Sequence, residues 1–544
     1  MANVKFSRKE LEKHIKLDSA ILEKISLFGT PLESINENEI EIEIFPNRPD
    51  LLSLQGYIRA FKAFLGKEKG IKKYKAKKPE KDYIVKIDSS VKQVRPFTAC
   101  AIVKNLSFSI ERIKEIIGLQ EKLHSTIGRK RKKLAIGIYP LEKIKLPIKY
   151  TALHPDKISF IPLDFDKPLT AKQILQKHPA GKEYSYLLEN LPLYPIFIDS
   201  NNQILSMPPI INSNETGKIT ESTTNVFVEC SGHDLLILKK TLNIIVTTLA
   251  EMGGKIYQME LNYGKSKELT PSLNPEKMKI SLENINSLLG LNLKEKDLTN
   301  LLQKMGYNYK KNKVEIPPWR TDVLHEVDII EDIVIAYGYN NLAPEIPTIL
   351  TIAEESEKSR LKTKISEILI GLGLIEISSY HLIKAEEVEK EKLESPLELE
   401  NSKTEYKILR PNLLIPALRI ISENKDNEYP QRIFEIGTVF SQDKNQKSDT
   451  EIKESTNLII AITPANFTEI KQILDYLIKS LSLEYKLQES FHKNLVEGRT
   501  AKILINNKPI GYIGEIHPKI LHVWNIKMPL AVLEISLEEV FNTF

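Results

Sequence analysis

Cysteine is scarce in this chain: Cys100 and Cys230 are the only two among 544 residues. Two thiols build no disulfide framework, and their spacing matches no zinc-ligand pair. A reducing, cytoplasmic setting is expected. Long apolar runs are also missing. The opening MANVKFSRKELEKHIKL lacks the apolar centre of a secretory signal, and the most apolar helical stretch, DLLILKKTLNIIVTTLAEMGG, is interrupted by Lys239 and Lys240. No export and no membrane span are expected. Neither sign of charge dominates, because 77 basic residues stand against 72 acidic ones for a net charge of +5. Any nucleic-acid contact is therefore a local patch. The sequence has no Walker loop, no G-x-G-x-x-G, no H-E-x-x-H and no G-x-S-x-G, so nucleotide-loop, zinc-protease and serine-hydrolase readings have no motif to rest on.

What is present describes a folded multidomain chain, with 41% hydrophobic and 27% charged residues. Its length predicts about three to five domains. Residues 1–85 open with a helix, the alternating strand NEIEIEIF, and the PNRPD junction, where Asp50 is expected to start the helix LLSLQGYIRAFKAFLG. The lysine-rich stretch KEKGIKKYKAKKPEKDY reads as a linker or solvated edge. In residues 86–272, FTACAIVKNL, KLAIGIYP, YPIFID and NVFVECSG predict strands of an α+β domain. Residues 275–350 read as two short helices, a wing-like hairpin and an acidic helix. The last segment, 355–544, opens with a helix that places Leu361, Ile365, Ile368 and Leu372 on one face. Strands RIFEIGTVF and NLIIAITP follow, then a hairpin turning at Asn506 and Asn507.

Three stretches carry chemistry. In PPWRTDVLHEVDIIEDIVIAYGYNN, Asp328, Glu331 and Asp332 share a helix face, with Asp322 just before it. Like charges so spaced repel by a few tenths of a kcal/mol per exposed pair. Arg320, the helix N-terminus or a hard cation would offset this. By spacing alone, an acidic solvated face is the commoner arrangement and a metal site the rarer one. In LSMPPIINSNETGKITESTTNVFVECSGHD, stiff prolines precede Asn212, Ser213 and Thr216, and Glu229 and Asp234 follow. Such a set suits a small polar pocket or ester hydrolysis, or else plain turn chemistry with Asp234 as a helix cap. LHSTIGRKRKK offers Arg129, Lys130, Arg131 and Lys132 to phosphates, or to water as a charged edge.

Taken together, IFPNRPDLLSLQGYIRAFKAFLG, the proline loop with TTNVFVECSGHD, VEIPPWRTDVLHEVDIIEDIVIAYGYNN, and LRPNLLIPALRIISENKD with YPQRIFEIGTVF and VEGRTAKILINNKPIGYIGEIHP make the chain resemble the β subunits of phenylalanyl-tRNA synthetase, of the shorter archaeal and eukaryotic type. The resemblance implies a multidomain α+β chain whose last domain resembles a class II synthetase catalytic domain without its catalytic residues and serves as an interface with α. It implies a complex of two α and two β chains that joins phenylalanine to tRNA(Phe) using ATP and Mg²⁺, with the synthetic active site on α. It places Mg²⁺ on Asp322, Asp328, Glu331 and Asp332. It places hydrolysis of tRNA mischarged with tyrosine in a pocket around Leu205, Pro208, Asn212, Ser213, Glu229 and Asp234. The alternative is a structural scaffold subunit without editing; a free-standing nuclease or phosphatase built on the four acids lacks a nearby base or nucleophile. The chain starts directly at the PNRPD domain and ends at LAVLEISLEEVFNTF. No oligonucleotide-binding insert and no anticodon-binding domain are expected, so tRNA recognition falls to α and the remaining β surfaces.

Overall fold

Alternation decides the first sheet. In EIEIEI, Ile40, Ile42 and Ile44 face inward while the glutamates face solvent, and this strand, β3 (Glu39–Ile44), lies between β1 (Ala2–Ser7) and β2 (Leu32–Ile35). The computed structural model describes residues 2–346, 352–393, 395–400, 402–443 and 450–542, which form two units split between Ile346 and Pro347. Positions 347–350 of the acidic-helix segment and 543–544 of the last segment lie outside the described residues.

In the first unit the chain passes from β3 through a 3₁₀ turn, Pro49–Leu51, into α1 (Leu54–Phe64). Ser53, not Asp50, caps this helix, its hydroxyl accepting from the Gly56 amide at 3.1 Å. Asp50 is buried and forked onto Arg48, whose Nε and Nη2 donate at 2.9 and 3.0 Å. A ten-stranded sheet follows. Its strands are β4 (Ile84–Ile87), β5 (Phe97–Lys104), β6 (Leu134–Pro140), β7 (Ile148–Leu153), β8 (Tyr194–Ile198), β9 (Ile204–Met207), β10 (Ile211–Asn212), β11 (Val226–Gly232), β12 (Lys255–Asn262) and β13 (Lys267–Thr270). Their order is β10-β9-β8-β7-β4-β12-β5-β11-β6, with β13 added beside β12. Helices α2 (Ile110–Ser125) and α3 (Leu235–Glu251) cover one face. Strands β5, β6 and β11 are buried along nearly their whole length, which is why they read as unbroken apolar runs.

Next come β14 (Glu276–Lys279), α4 (Leu282–Leu289), α5 (Glu295–Lys304), the hairpin β15 (Asn308–Lys310) and β16 (Lys313–Ile316), and the acidic helix α6 (Glu326–Tyr337). One continuous core joins Ile40 and Tyr57 near the start, Leu242 and Ile245 on α3, and Ile329 and Ile333 on α6. The lysine stretch after residue 66 is docked rather than free: the Gly70 amide donates to Gln303 at 2.8 Å, and Lys72 pairs with Glu251 at 2.9 Å.

The second unit opens with α7 (Glu357–Gly371), on which Ile365 is buried and Leu361, Ile368 and Leu372 pack against the same core. A seven-stranded sheet is built from β17 (Ile375–Glu376), β18 (Gln431–Gln442), β19 (Ile452–Thr463), β20 (Lys486–Glu489), β21 (Leu495–Ile505), β22 (Lys508–Ile516) and β23 (Ala531–Ser536). The order is β17-β18-β19-β23-β22-β21-β20. Asn506 and Asn507 turn the β21–β22 hairpin with φ of 52° and 61°, the paired left-handed conformation of a type I′ turn.

Candidate functional site

The middle strand β11 carries one acid in an otherwise apolar run. Glu229 pairs across to Gly137 on β6 and Cys100 on β5, and is 2% exposed. A Cβ at position 137 would stand 2.7 Å from Glu229 Oε1, so the glycine makes room for the carboxyl. Tyr139 connects the carboxyl to the proline loop: its hydroxyl lies 3.3 Å from Glu229 Oε1, 2.8 Å from Ser206 Oγ and 3.3 Å from Asn212 Oδ1. Glu229 Oε2 has no partner. Burial pushes the Glu229 carboxyl up to about 8, against the pull of Arg95 and of bonds from Tyr139 and Ser231. At neutral pH it is a neutral acid able to donate a hydrogen bond.

Glu229 lines a cavity of about 470 Å³ together with Pro208, Asn212, His124, Arg131 and apolar residues such as Ile136. His124 is fixed here by its neighbours: Nε2 accepts the Ile136 amide at 2.9 Å and Nδ1 faces Glu121 at 3.3 Å. Burial lowers its pKa, so it is a neutral imidazole with its lone pair already used. Arg131 clamps the proline loop, donating to the Pro209 and Ile210 carbonyls at 3.3 and 2.8 Å and to Glu121 at 2.9 Å.

Of the six expected pocket residues, Pro208, Asn212 and Glu229 therefore meet at one cavity. Leu205 is in the sheet core behind it, and Ser213 is buried as the cap of a short helix, Asn214–Gly217. Asp234 caps α3, accepting from Leu236 and Ile237 at 2.9 and 3.3 Å, and does not line the cavity. Sequence reasoning passed over Tyr139 and Gly137, which lie in the strand KLAIGIYP with no motif to single them out. It also assigned Arg131 to phosphate contact. Arg131 instead turns inward to the loop, while Arg129, Lys130 and Lys132 remain exposed.

The four acids line another cavity, of about 810 Å³. Their arrangement is organised by Arg320, which is 3% exposed. Its Nε and Nη2 fork onto Asp322 at 2.8 and 2.6 Å, and Nη2 also reaches Asp332 at 2.7 Å. The Tyr307 hydroxyl donates to the same Asp332 oxygen. Asp328 Oδ2 accepts the Leu324 and His325 amides at 2.7 Å each, closing the helix N-terminus. Among the described residues Glu331 has no ion pair and feels Arg320 only at a distance. Its pKa is raised by partial burial and then by Asp332, Asp328 and Asp322, the signature of uncompensated negative charge. The expected four-ligand shell is not formed: among the described residues no three acids come together around a metal position. The physical reason is Arg320, which holds two of the four carboxylates. Glu331 and Asp328 are the two of the four acids that Arg320 does not hold, and as oxygen donors they suit a hard cation that keeps most of its waters.

A profile for the tRNA synthetase B5 domain matches residues 278–339, and one for the phenylalanyl tRNA synthetase beta chain CLM domain matches residues 342–537. The phenylalanine–tRNA ligase beta subunit of Archaeoglobus fulgidus is 37% identical over 549 residues, covering 98% of both chains. That of Pyrococcus furiosus is 38% identical over 506 residues, covering 91% of this chain and 90% of its own. The chain belongs to the family of phenylalanine–tRNA ligase β subunits. A crystal structure of an N-terminal fragment of the Pyrococcus horikoshii β subunit superposes with a TM-score of 0.59 at 37% identity, covering 62% of this chain and all of the fragment. This β subunit is thus a component of an aminoacyl-tRNA synthetase, and both cavities lie in its first unit. No helix among the described residues is long and apolar enough to cross a membrane.

Proposed function

We propose that this β subunit works in the cytoplasm with an α chain, two of each, to attach L-phenylalanine to tRNA(Phe) with ATP, the synthetic site lying on α. The cavity at Glu229 hydrolyses tyrosyl-tRNA(Phe). The observation that carries this is a buried, neutral carboxyl at the cavity whose Oε2 has no partner among the described residues. Such a pocket accepts an aromatic ring and answers its hydroxyl, and a site built to hydrogen-bond a hydroxyl rejects the analogue that lacks one. Asn212, held from behind by the Tyr139 hydroxyl, orients the ester. Because His124 Nε2 is committed to a backbone amide, the attacking water is activated by a group of the substrate; it adds to the carbonyl carbon and the ribose oxygen leaves. Arg129, Lys130 and Lys132 offer an outward phosphate-binding edge.

Asp328 and Glu331 would hold Mg²⁺ with waters, its charge offsetting the acids that Arg320 leaves unbalanced; Asp322 and Asp332 back the site through Arg320. The test is tyrosyl-tRNA(Phe) hydrolysis by the complex reconstituted with its α chain. Wild type should deacylate tyrosyl-tRNA and spare phenylalanyl-tRNA, and Glu229→Ala with Asn212→Ala should abolish hydrolysis while charging persists. Hydrolysis that survives both substitutions would refute the site, and none in wild type would leave a scaffold subunit.

A further inference from the structure

Arg320 faces two ways. While Nε and Nη2 hold acids, its Nη1 is buried without an acceptor and the residue also lines a separate cavity of about 210 Å³. Arg48 and Arg59 line the same cavity. Arg59 is 7% exposed, and both its Nε and Nη2 lack acceptors. Among the described residues its polar contact is Nη1 to the Tyr74 hydroxyl at 3.1 Å, and its guanidinium lies 4.1 Å over the Trp319 ring. No carboxylate pairs with it among the described residues. A buried guanidinium without a counter-charge is costly, and here three nitrogens on two arginines share the deficit.

The acids at this cavity are already used. Both Asp50 oxygens are taken by Arg48, and Glu68 is held by Lys62 at 2.9 Å. Lys69 and Lys72 sit at its rim on the docked lysine stretch. The volume is that of about seven waters at ~30 Å³ each, enough for a tetrahedral oxyanion with part of its hydration. We propose that this cavity binds a phosphate-class oxyanion, held by the unpartnered nitrogens of Arg59 and Arg320 with Lys69 and Lys72 at the entrance. Planar guanidinium forks suit phosphate oxygens. Free phosphate or pyrophosphate and an RNA phosphodiester present the same chemistry.

The full-length chain is titrated with sodium phosphate and with pyrophosphate, against sodium chloride at equal ionic strength, by calorimetry and by melting. Saturable binding with a raised Tm is expected in phosphate or pyrophosphate and not in chloride. Losing charge-assisted hydrogen bonds should weaken binding at least about tenfold in Arg59→Gln. Lys69→Ala with Lys72→Ala should weaken it severalfold, and the raised Tm in phosphate relative to chloride should shrink with it. Should Arg59→Gln fail to fold, Arg59→Lys replaces it, keeping charge and stem but losing Nη2. A short oligoribonucleotide without terminal phosphates that displaces bound phosphate assigns the site to RNA backbone, and failure to displace assigns it to a free oxyanion. An identical response to phosphate and chloride, or wild-type phosphate affinity in the folded Arg59 variant, would overturn the proposal.

Discussion

Replacing Glu229 by glutamine should change how stability depends on pH more than it changes stability itself. Glutamine has the shape of the protonated carboxyl and never ionises. In the wild type, burial raises the group from 4.5 to about 8. Below pH 4.5 both the folded and unfolded chains hold the proton, and above about 8 both have lost it. Between those limits only the folded chain holds it, so stability is full at the acid end and falls as pH rises. The slope reaches ~1.36 kcal/mol per pH unit, and about 3.5 units, net of the opposing pull of Arg95 and Tyr139, cap the effect near 5 kcal/mol. Urea unfolding of wild type and Glu229→Gln from pH 5.5 to 8.5 measures the difference directly. The two curves should separate from the acid end of this range up to about pH 8 and run parallel above it, the variant becoming the more stable. Curves parallel over the whole range would mean that Glu229 is ionised in the folded protein, and the hydrogen-bond donor on which the proposed tyrosine selection rests would be lost.

Arg320→Met should destabilise by roughly 3–5 kcal/mol, since it strands Asp322 and Asp332 in a buried setting; denaturant unfolding of the full chain reads this. Asp234→Ala should cost about 1 kcal/mol of helix capping while tyrosyl-tRNA hydrolysis continues, because the residue does not line the cavity. Asp328→Asn with Glu331→Gln should remove any rise in Tm on adding Mg²⁺, and an undiminished rise would place the ion elsewhere. Asn507→Gly should stabilise the β21–β22 hairpin by ~0.5 kcal/mol, measured as a shift in urea midpoint, because its φ of 61° suits glycine.

Local signals were legible in the sequence. Asn506 and Asn507 form the turn their chemistry predicts, and EIEIEI forms the strand its alternation predicts. Features set by distant partners were not. The lysine stretch is poor in large apolar residues and so reads as solvated, yet Tyr74 packs edge-on to Trp319 and bonds Glu251, partners separated from it by well over a hundred residues. Asp50 has the residue type of a helix cap, but its burial beside Arg48 outweighs that preference. At the Glu229 cavity, the sequence offered both Glu229 and Asp234 as pocket residues, with a helix cap as the alternative for Asp234. Only the sheet separates them, by putting one in the middle of a buried strand and the other at a helix start. Arg320 was visible as a neighbour of the acids, but its double pairing depends on α6 folding back beside the preceding loop.

The shared core of the first unit has a consequence for how damage spreads. Because Tyr57, Ile245 and Ile333 belong to one apolar body, the first strands, the large sheet and the acidic helix should open and close as a single cooperative block. Slow amide exchange in β3 should then track that in α3 and α6. A cavity-making substitution at Tyr57 should speed exchange at the β11 amides around Glu229, so that a lesion near the N-terminus would be felt at a cavity built from strands far along the chain.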